Sequence, residues 1–138
     1  MFKTILCPTD FSGLSHKALD TAHDMSKRYG AKLMLISVVE LDPMMDNSAV
    51  PVAELEAETE RKIAQLAKKE VDAGYQVEWV VYQGMPEESI IEHAAKHNVD
   101  LIIMGSHGRR GLKRLLMGSV AESVVRRAQC PVMVVKEK

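Results

Sequence analysis

The sequence predicts a doubly wound α/β domain: one five-stranded parallel sheet with helices on both faces, spanning residues 1–138. Short apolar runs of strand length alternate with amphipathic stretches of helix length in the order βαβαβαβαβ. Helical crossovers between buried strands require those strands to run parallel. No internal repeat, low-complexity tract or linker interrupts the pattern.

FKTILCP (2–8) is a buried strand ended by Pro8. Over 14–29, Leu14, Ala18, Ala22, Met25 and Tyr29 recur at helical spacing, and Gly30 follows as a left-handed cap. AKLMLISVV (31–39) is the second strand, and 40–50 reads as a loop. A helix over about 51–73 places Val52, Leu55, Thr59, Ile63 and Leu66 on one face and ends at Gly74. Its other face is acidic first and basic later, which suits the helix dipole. YQVEWVVY (75–82) is the third strand, with Val77, Trp79 and Val81 on one face. Pro86, Glu87 and Glu88 open the next helix, whose buried stripe is Ile90, Ile91, Ala94 and Ala95. VDLIIMG (99–105) is the fourth strand, a helix follows over about 118–128, and CPVMVV (130–135) closes the sheet.

Net charge is −1, but its distribution is uneven. Residues 1–100 carry 10 Lys/Arg against 17 Asp/Glu, and residues 101–138 carry 8 against 2. A basic end of this kind suits an anion, or a basic helix face packed near an acidic one. Cys7 and Cys130 lie in or beside apolar runs with no metal spacing and are read as buried free thiols in a reducing cytosol, with a disulfide as the alternative. MFKTILCPTDFS is too short and polar for a signal peptide, and the apolar runs are strand-sized, so a cytoplasmic location without a membrane span is expected.

The chemistry concentrates in IIMGSHGRRGLKRLLMGSVAESVV (102–125), which leaves the carboxyl end of the fourth strand. Ligands of doubly wound sheets bind at that end, where strand order reverses. Gly105 and Gly108 allow backbone amides to approach an anion, and Gly118-Ser119 stands where a helix begins. Singly, each glycine serves a turn or a cap. Together they describe a phosphate cradle. There is no G-x-x-x-x-G-K-S/T and no G-x-G-x-x-G, so neither a Walker A loop nor a dinucleotide fingerprint is present.

The spacing is G-x2-G-x9-G-S/T, and with it the chain resembles the universal stress protein family. Pro8-Thr9-Asp10 after the first strand, the Gly84-x-Pro86 turn and the closing Cys130-Pro131-Val132 carry the likeness along the whole chain. The resemblance implies a Rossmann-like adenine-nucleotide-binding fold of strand order 3-2-1-4-5. It implies ATP, with or without Mg²⁺, in the crevice beside the first and fourth strands. Asp10 would meet the ribose or adenine, with Pro8 and Thr9 shaping that wall and Val38 or Val39 lining the adenine pocket. Met104 and Gly105 would lie under the nucleotide. Gly108, Gly118 and Ser119 would hold the phosphates, with Val120 beside them. Arg109 and the other spacer cations, Arg110, Lys113 and Arg114, are candidates for phosphate contact. The resemblance also implies a homodimer through Val132 to Val135, which as an apolar edge strand invites pairing.

Read this way, the chain is an ATP-dependent regulator acting on an unidentified protein partner, with ATP ordering the 106–117 loop. A slow ATPase or phosphotransferase is the rival, and AMP or cyclic AMP are alternative occupants. Asp10 also has a structural role open to it, capping the first helix with Ser12. His93 and His97 lack a third ligand and are expected to face solvent. His107 either touches a phosphate or faces water. Ser106-His107 lacks the third orienting group of a triad. Gly108-Arg109-Arg110-Gly111 has the G-x-x-G form of an RNA-binding loop, but aromatic content of 4% argues against nucleic acid. The motifs of ATP pyrophosphatases and nucleotidylyl transferases are not intact. The methionines are read as core filler, with Met44 and Met45 as a cover for adenine or a partner surface.

Overall fold

The computed structural model describes residues 2–41, 51–107 and 117–137. The elements follow the expected order: β1 (Thr4–Pro8), α1 (Gly13–Tyr29), β2 (Lys32–Glu40), α2 (Val52–Asp72), β3 (Val77–Gly84), α3 (Pro86–Lys96), β4 (Leu101–Gly105), α4 (Ser119–Arg127) and β5 (Val132–Val135). The sheet has five parallel strands in the order β3-β2-β1-β4-β5.

Strand alternation sends successive side chains to opposite faces, and each face has its own core. Ile5, Cys7, Leu33, Leu35 and Ile103 pack with Ala18 and Ala22 of α1 and Ile63 of α2. Leu6, Ile36, Ile102 and Met104 pack with Ile90 and Ala94 of α3 and Ala121 and Val124 of α4. Each fully buried Ile or Leu contributes about 1.5–3 kcal/mol. The helix ends are specified locally. Ser12 caps α1 by accepting from the Ser15 amide, and Gly30 ends it at φ 63°, a backbone conformation that glycine adopts without strain. Pro86 opens α3, with Glu87 and Glu88 in its first turn.

Two expectations change, at Ala95 and His93, while Trp79 keeps its expected face but is not covered there. Val77 and Val81 pack on the α1/α2 side, but Trp79 is 42% exposed, because β3 is an edge strand that the helices cover incompletely. Ala95 is exposed, and His93 takes its place in the buried stripe of α3. His93 is therefore not a solvent-facing histidine: it is 3% exposed, and its Nδ1 lies 2.8 Å from the Tyr82 hydroxyl. Burial pushes its pKa down to about 4, helped by the charges of His97 and Lys96. His97, one turn on, is exposed and lies against it with ring centroids 4.1 Å apart. Cys7 and Cys130 are both free, the first buried and the second half-buried. Among the described residues, no helix is long and apolar enough to cross a membrane.

Candidate functional site

Strand order reverses at β1, which lies between β2 and β4. Pairing of β1 with β4 stops at Leu6↔Ile102. Pairing of β1 with β2 runs on to Pro8↔Ile36, and that of β4 with β5 to Gly105↔Val135. The carboxyl ends of β1 and β4 therefore part, leaving a crevice at the switch point.

One wall is the turn from β1 to α1, built by short polar side chains that bond their own backbone. The Thr9 amide donates to Ile36 O at 2.9 Å, and Thr9 Oγ1 accepts from the Phe11 amide at 3.0 Å. Asp10 Oδ1 accepts from the Ser12 amide at 2.9 Å, and Ser12 Oγ accepts from the Ser15 amide at 3.3 Å. Ser15 Oγ donates to Ser12 O at 2.8 Å, so the 3.1 Å contact between Thr9 Oγ1 and Ser15 Oγ is a donation by Thr9. These bonds hold Phe11 at φ 66°, a left-handed conformation rare for a bulky residue. The result is a fixed turn with half-buried Asp10 at its centre.

The other wall is the end of β4. A Cβ at Gly105 would sit 3.0 Å from Leu14 Cγ, so glycine here lets α1 close on the strand end. Ser106, 1% exposed, is bonded three ways. Its amide donates to Val135 O at 2.8 Å, its carbonyl accepts from the Gly118 amide at 2.6 Å, and its Oγ lies 3.1 Å from His107 Nδ1. A Cβ at Gly118 would come within 3.3 Å of the Ser106 carbonyl oxygen. Gly118 is the N-cap residue of α4, so this contact sets the helix's amino terminus beside the crevice. The unpaired amides of a first turn and the positive end of the dipole favour an anion there. Ser119 is exposed and Val120 half-buried at this end.

Pro8, Thr9 and Asp10 thus stand on one side of the switch point, and Met104, Gly105, Gly118, Ser119 and Val120 on the other. Val38 and Val120 pack on the cluster containing Met104, whereas Val39, one residue on, projects to the opposite face of the sheet. Gly108 and Arg109 lie outside the described residues, as do Arg110, Gly111, Lys113, Arg114, Met44 and Met45. Sequence reasoning missed Ser106 as a junction, because its partners come from β5 and α4. It also missed the bonding role of Thr9, although a Thr-Asp-x-Ser string is a recognisable turn signal.

A groove of about 420 Å³ lies at the other end of the sheet, lined by Ser26, Gly30, Ala73, Gly74, Tyr75 and neighbours. There α1 and α2 end, and their carbonyl termini disfavour an anion. Among the described residues, no group of three His, Cys, Asp or Glu is placed to hold a metal ion.

Comparison with known proteins agrees with this architecture. Residues 1–136 match the model of the Universal stress protein family. Universal stress protein MJ0531 of Methanocaldococcus jannaschii is 37% identical over 142 residues, covering 99% of this chain and 84% of the relative. The solved universal stress protein UspA from Lactobacillus plantarum superposes with a TM-score of 0.85 at 26% identity, covering 97% of each chain. A universal stress protein solved in complex with cAMP matches with a TM-score of 0.72 at 25% identity, again over 97% of each chain. The chain belongs to the universal stress protein family.

Proposed function

We propose that this protein binds ATP, accompanied by Mg²⁺, in the switch-point crevice and acts as a nucleotide-dependent regulator. The observation that carries the reading is the amino terminus of α4, fixed beside the parted ends of β1 and β4 by the bond from Gly118 to Ser106. In this reading the phosphates lie on the first-turn amides of Ser119 and Val120 and on the Ser119 hydroxyl. Asp10, held by its turn, accepts from the ribose hydroxyls. Val38, Met104 and Gly105 line the nucleoside end, with Pro8 and Thr9 shaping the wall and Val39 behind it. Gly108 and Arg109 complete the phosphate site on the strength of the motif alone. Mg²⁺ keeps several waters and is held chiefly by the phosphates.

Regulation follows from differential binding: a partner reads the surface between Gly105 and Gly118, which ATP alters. The same reading places the protein in the cytoplasm, as a homodimer paired along Val132–Val135, the edge strand β5. A mass by sedimentation that stays monomeric at every concentration contradicts the dimer.

The relative solved with cAMP supports an adenine nucleotide and favours a second reading, a cyclic mononucleotide in the same crevice. Calorimetric titration with Mg-ATP, AMP and cAMP, on wild type and Ser119→Ala, separates the two. Tightest binding of ATP, weakened in the variant, supports the first. Tightest binding of cAMP supports the second, and no binding of any of them by folded protein overturns both.

A further inference from the structure

We propose that the groove between the start of α1 and the middle of α2 is a docking site for an acidic segment of a protein partner, one that carries an apolar side chain between carboxylates. Apart from Phe11, none of its lining residues has been placed at the switch-point crevice, and the inference stands whether or not a nucleotide binds there.

The groove holds about 290 Å³ and is lined by Phe11, His16, Lys62, Gln65, Leu66 and Lys69. Lys62, Gln65, Leu66 and Lys69 fall at i, i+3, i+4 and i+7 of α2, the spacing of one helix face. The floor is apolar. Phe11 and Leu66 are half-buried and pack on the core that α1 and α2 cover. The bonds of the β1–α1 turn hold Phe11 at φ 66°, so this part of the floor is fixed before any partner arrives.

The rim is cationic. Its polar side chains are two lysines, a histidine and a glutamine, and no carboxylate lines the groove among the described residues. That composition runs against its surroundings, since residues 1–100 carry 17 Asp/Glu and only 10 Lys/Arg. Lys62 Nζ lies 5.6 Å from the centre of the Phe11 ring, which puts one charge directly over the apolar floor. Lys62 also lies 3.3 Å from Glu58, one turn back on α2, with side chains 45% and 49% exposed. Exposed i,i+4 pairs of this kind contribute little, so an incoming carboxylate can replace Glu58. The side chains of His16, Gln65 and Lys69 are exposed and make no hydrogen bond or ion pair among the described residues.

The arrangement selects the occupant. Lys62 and Lys69 are seven residues apart, about 10 Å along the helix. Cations spread in this way suit a segment with several carboxylates better than one compact anion. Leu66 lies between them and offers a contact to an apolar side chain of the same segment. Charge complementarity at the rim then sets register, and burial on Phe11 and Leu66 supplies affinity. A nucleic acid fits less well, because it calls for a longer row of cations and more than one aromatic platform.

The test is to pan a library of random twelve-residue peptides, displayed on phage, against the full chain. Selected peptides are then synthesised and titrated into wild type and Lys62→Glu/Lys69→Glu, each checked for folding by its melting curve. The selected peptides should carry Asp or Glu on both sides of an apolar residue. They should bind the double variant at least about tenfold more weakly, and wild type more weakly as salt is raised. On titration the amide resonances of Phe11, His16 and residues 62–69 should shift most. Selected peptides without an excess of acid overturn the inference, as does equal affinity in the folded double variant or a set of shifts elsewhere. So does a library that yields no binder, or a twelve-nucleotide single strand that binds more tightly than any selected peptide. If the double variant fails to fold, Gln65→Glu, a single change at an exposed position, replaces it, and unchanged affinity there overturns the inference.

Discussion

The backbone amide of Gly118 donates to the carbonyl oxygen of Ser106 at 2.6 Å, tying the first residue of the α4 cap to the end of β4. The Ser106 amide donates in turn to Val135 at 2.8 Å, so the ends of β4 and β5 and the start of α4 share one residue. The position of the α4 amino terminus, where the proposed phosphate site lies, is thus set by backbone geometry, which a substitution can disturb without removing any donor.

Gly118→Ala tests this. Its φ of −73° suits any residue, so the cost is steric, from a Cβ 3.3 Å from the Ser106 oxygen. Overpacking of this kind costs about 1–3 kcal/mol, and the shifted helix start should bind ATP more weakly. Ser119→Ala removes a hydroxyl from an exposed position and should stay within about 0.5 kcal/mol of wild type. Urea unfolding of both variants measures the difference; equal stability contradicts the close fit at 118.

Asp10 accepts a hydrogen bond in its turn and has a proposed role at the ribose, and two substitutions separate these. Asp10→Ala removes the acceptor of the Ser12 amide, and Asp10→Asn keeps an oxygen there. Alanine should cost about 1 kcal/mol of stability and asparagine much less. Both should weaken ATP binding, because the carboxylate charge is gone in each. Wild-type affinity in folded Asp10→Asn would sink the proposed ribose contact.

His93 makes stability depend on pH. Its pKa is lowered from 6.5 to about 4 in the fold, so the folded state favours the neutral ring. Above 6.5 the ring is neutral in both states and its contribution is complete. As pH falls below 6.5 the unfolded chain takes up the proton first and stability drops, levelling off near pH 4. His93→Gln, which keeps an acceptor for the Tyr82 hydroxyl, should lose less stability over the same interval. A gap of up to about 2 kcal/mol between the two urea profiles is expected. Parallel profiles would rule out His93 as the titrating group.

The two thiols should differ in reactivity. Cys7 is 0% exposed, and burial, reinforced by the charge of Glu70, pushes its pKa up to about 12. Cys130 is half-buried, and burial, with the charge of Asp100, raises its pKa above the ordinary thiol value. A disulfide reagent at pH 8 should titrate Cys130 alone in the native protein and both thiols in urea. Two native thiols reacting at one rate would contradict the buried position of Cys7.

Element order was legible because the chain is punctuated where elements end, at Pro8, Gly30, Gly74 and Pro86. Strand order was not carried by periodicity; the G-x2-G-x9-G-S/T spacing supplied it through the family resemblance. What escaped depends on tertiary partners. A single histidine in α3 gives no sign that Tyr82 on β3 will meet it, so His93 read as exposed. Trp79 alternates correctly with Val77 and Val81, yet its exposure follows from β3 being the outer strand. Ser106 is unremarkable between Gly105 and His107 until β5 and α4 dock on it.

The most direct test of the central claim is a map of backbone amide resonances during titration with Mg-ATP. The account predicts the largest shifts at Thr9, Asp10, Gly105, Ser106, Ser119 and Val120. Shifts clustered instead at Gly30, Gly74 and Tyr75, at the opposite end of the sheet, would contradict it, as would no shifts at all.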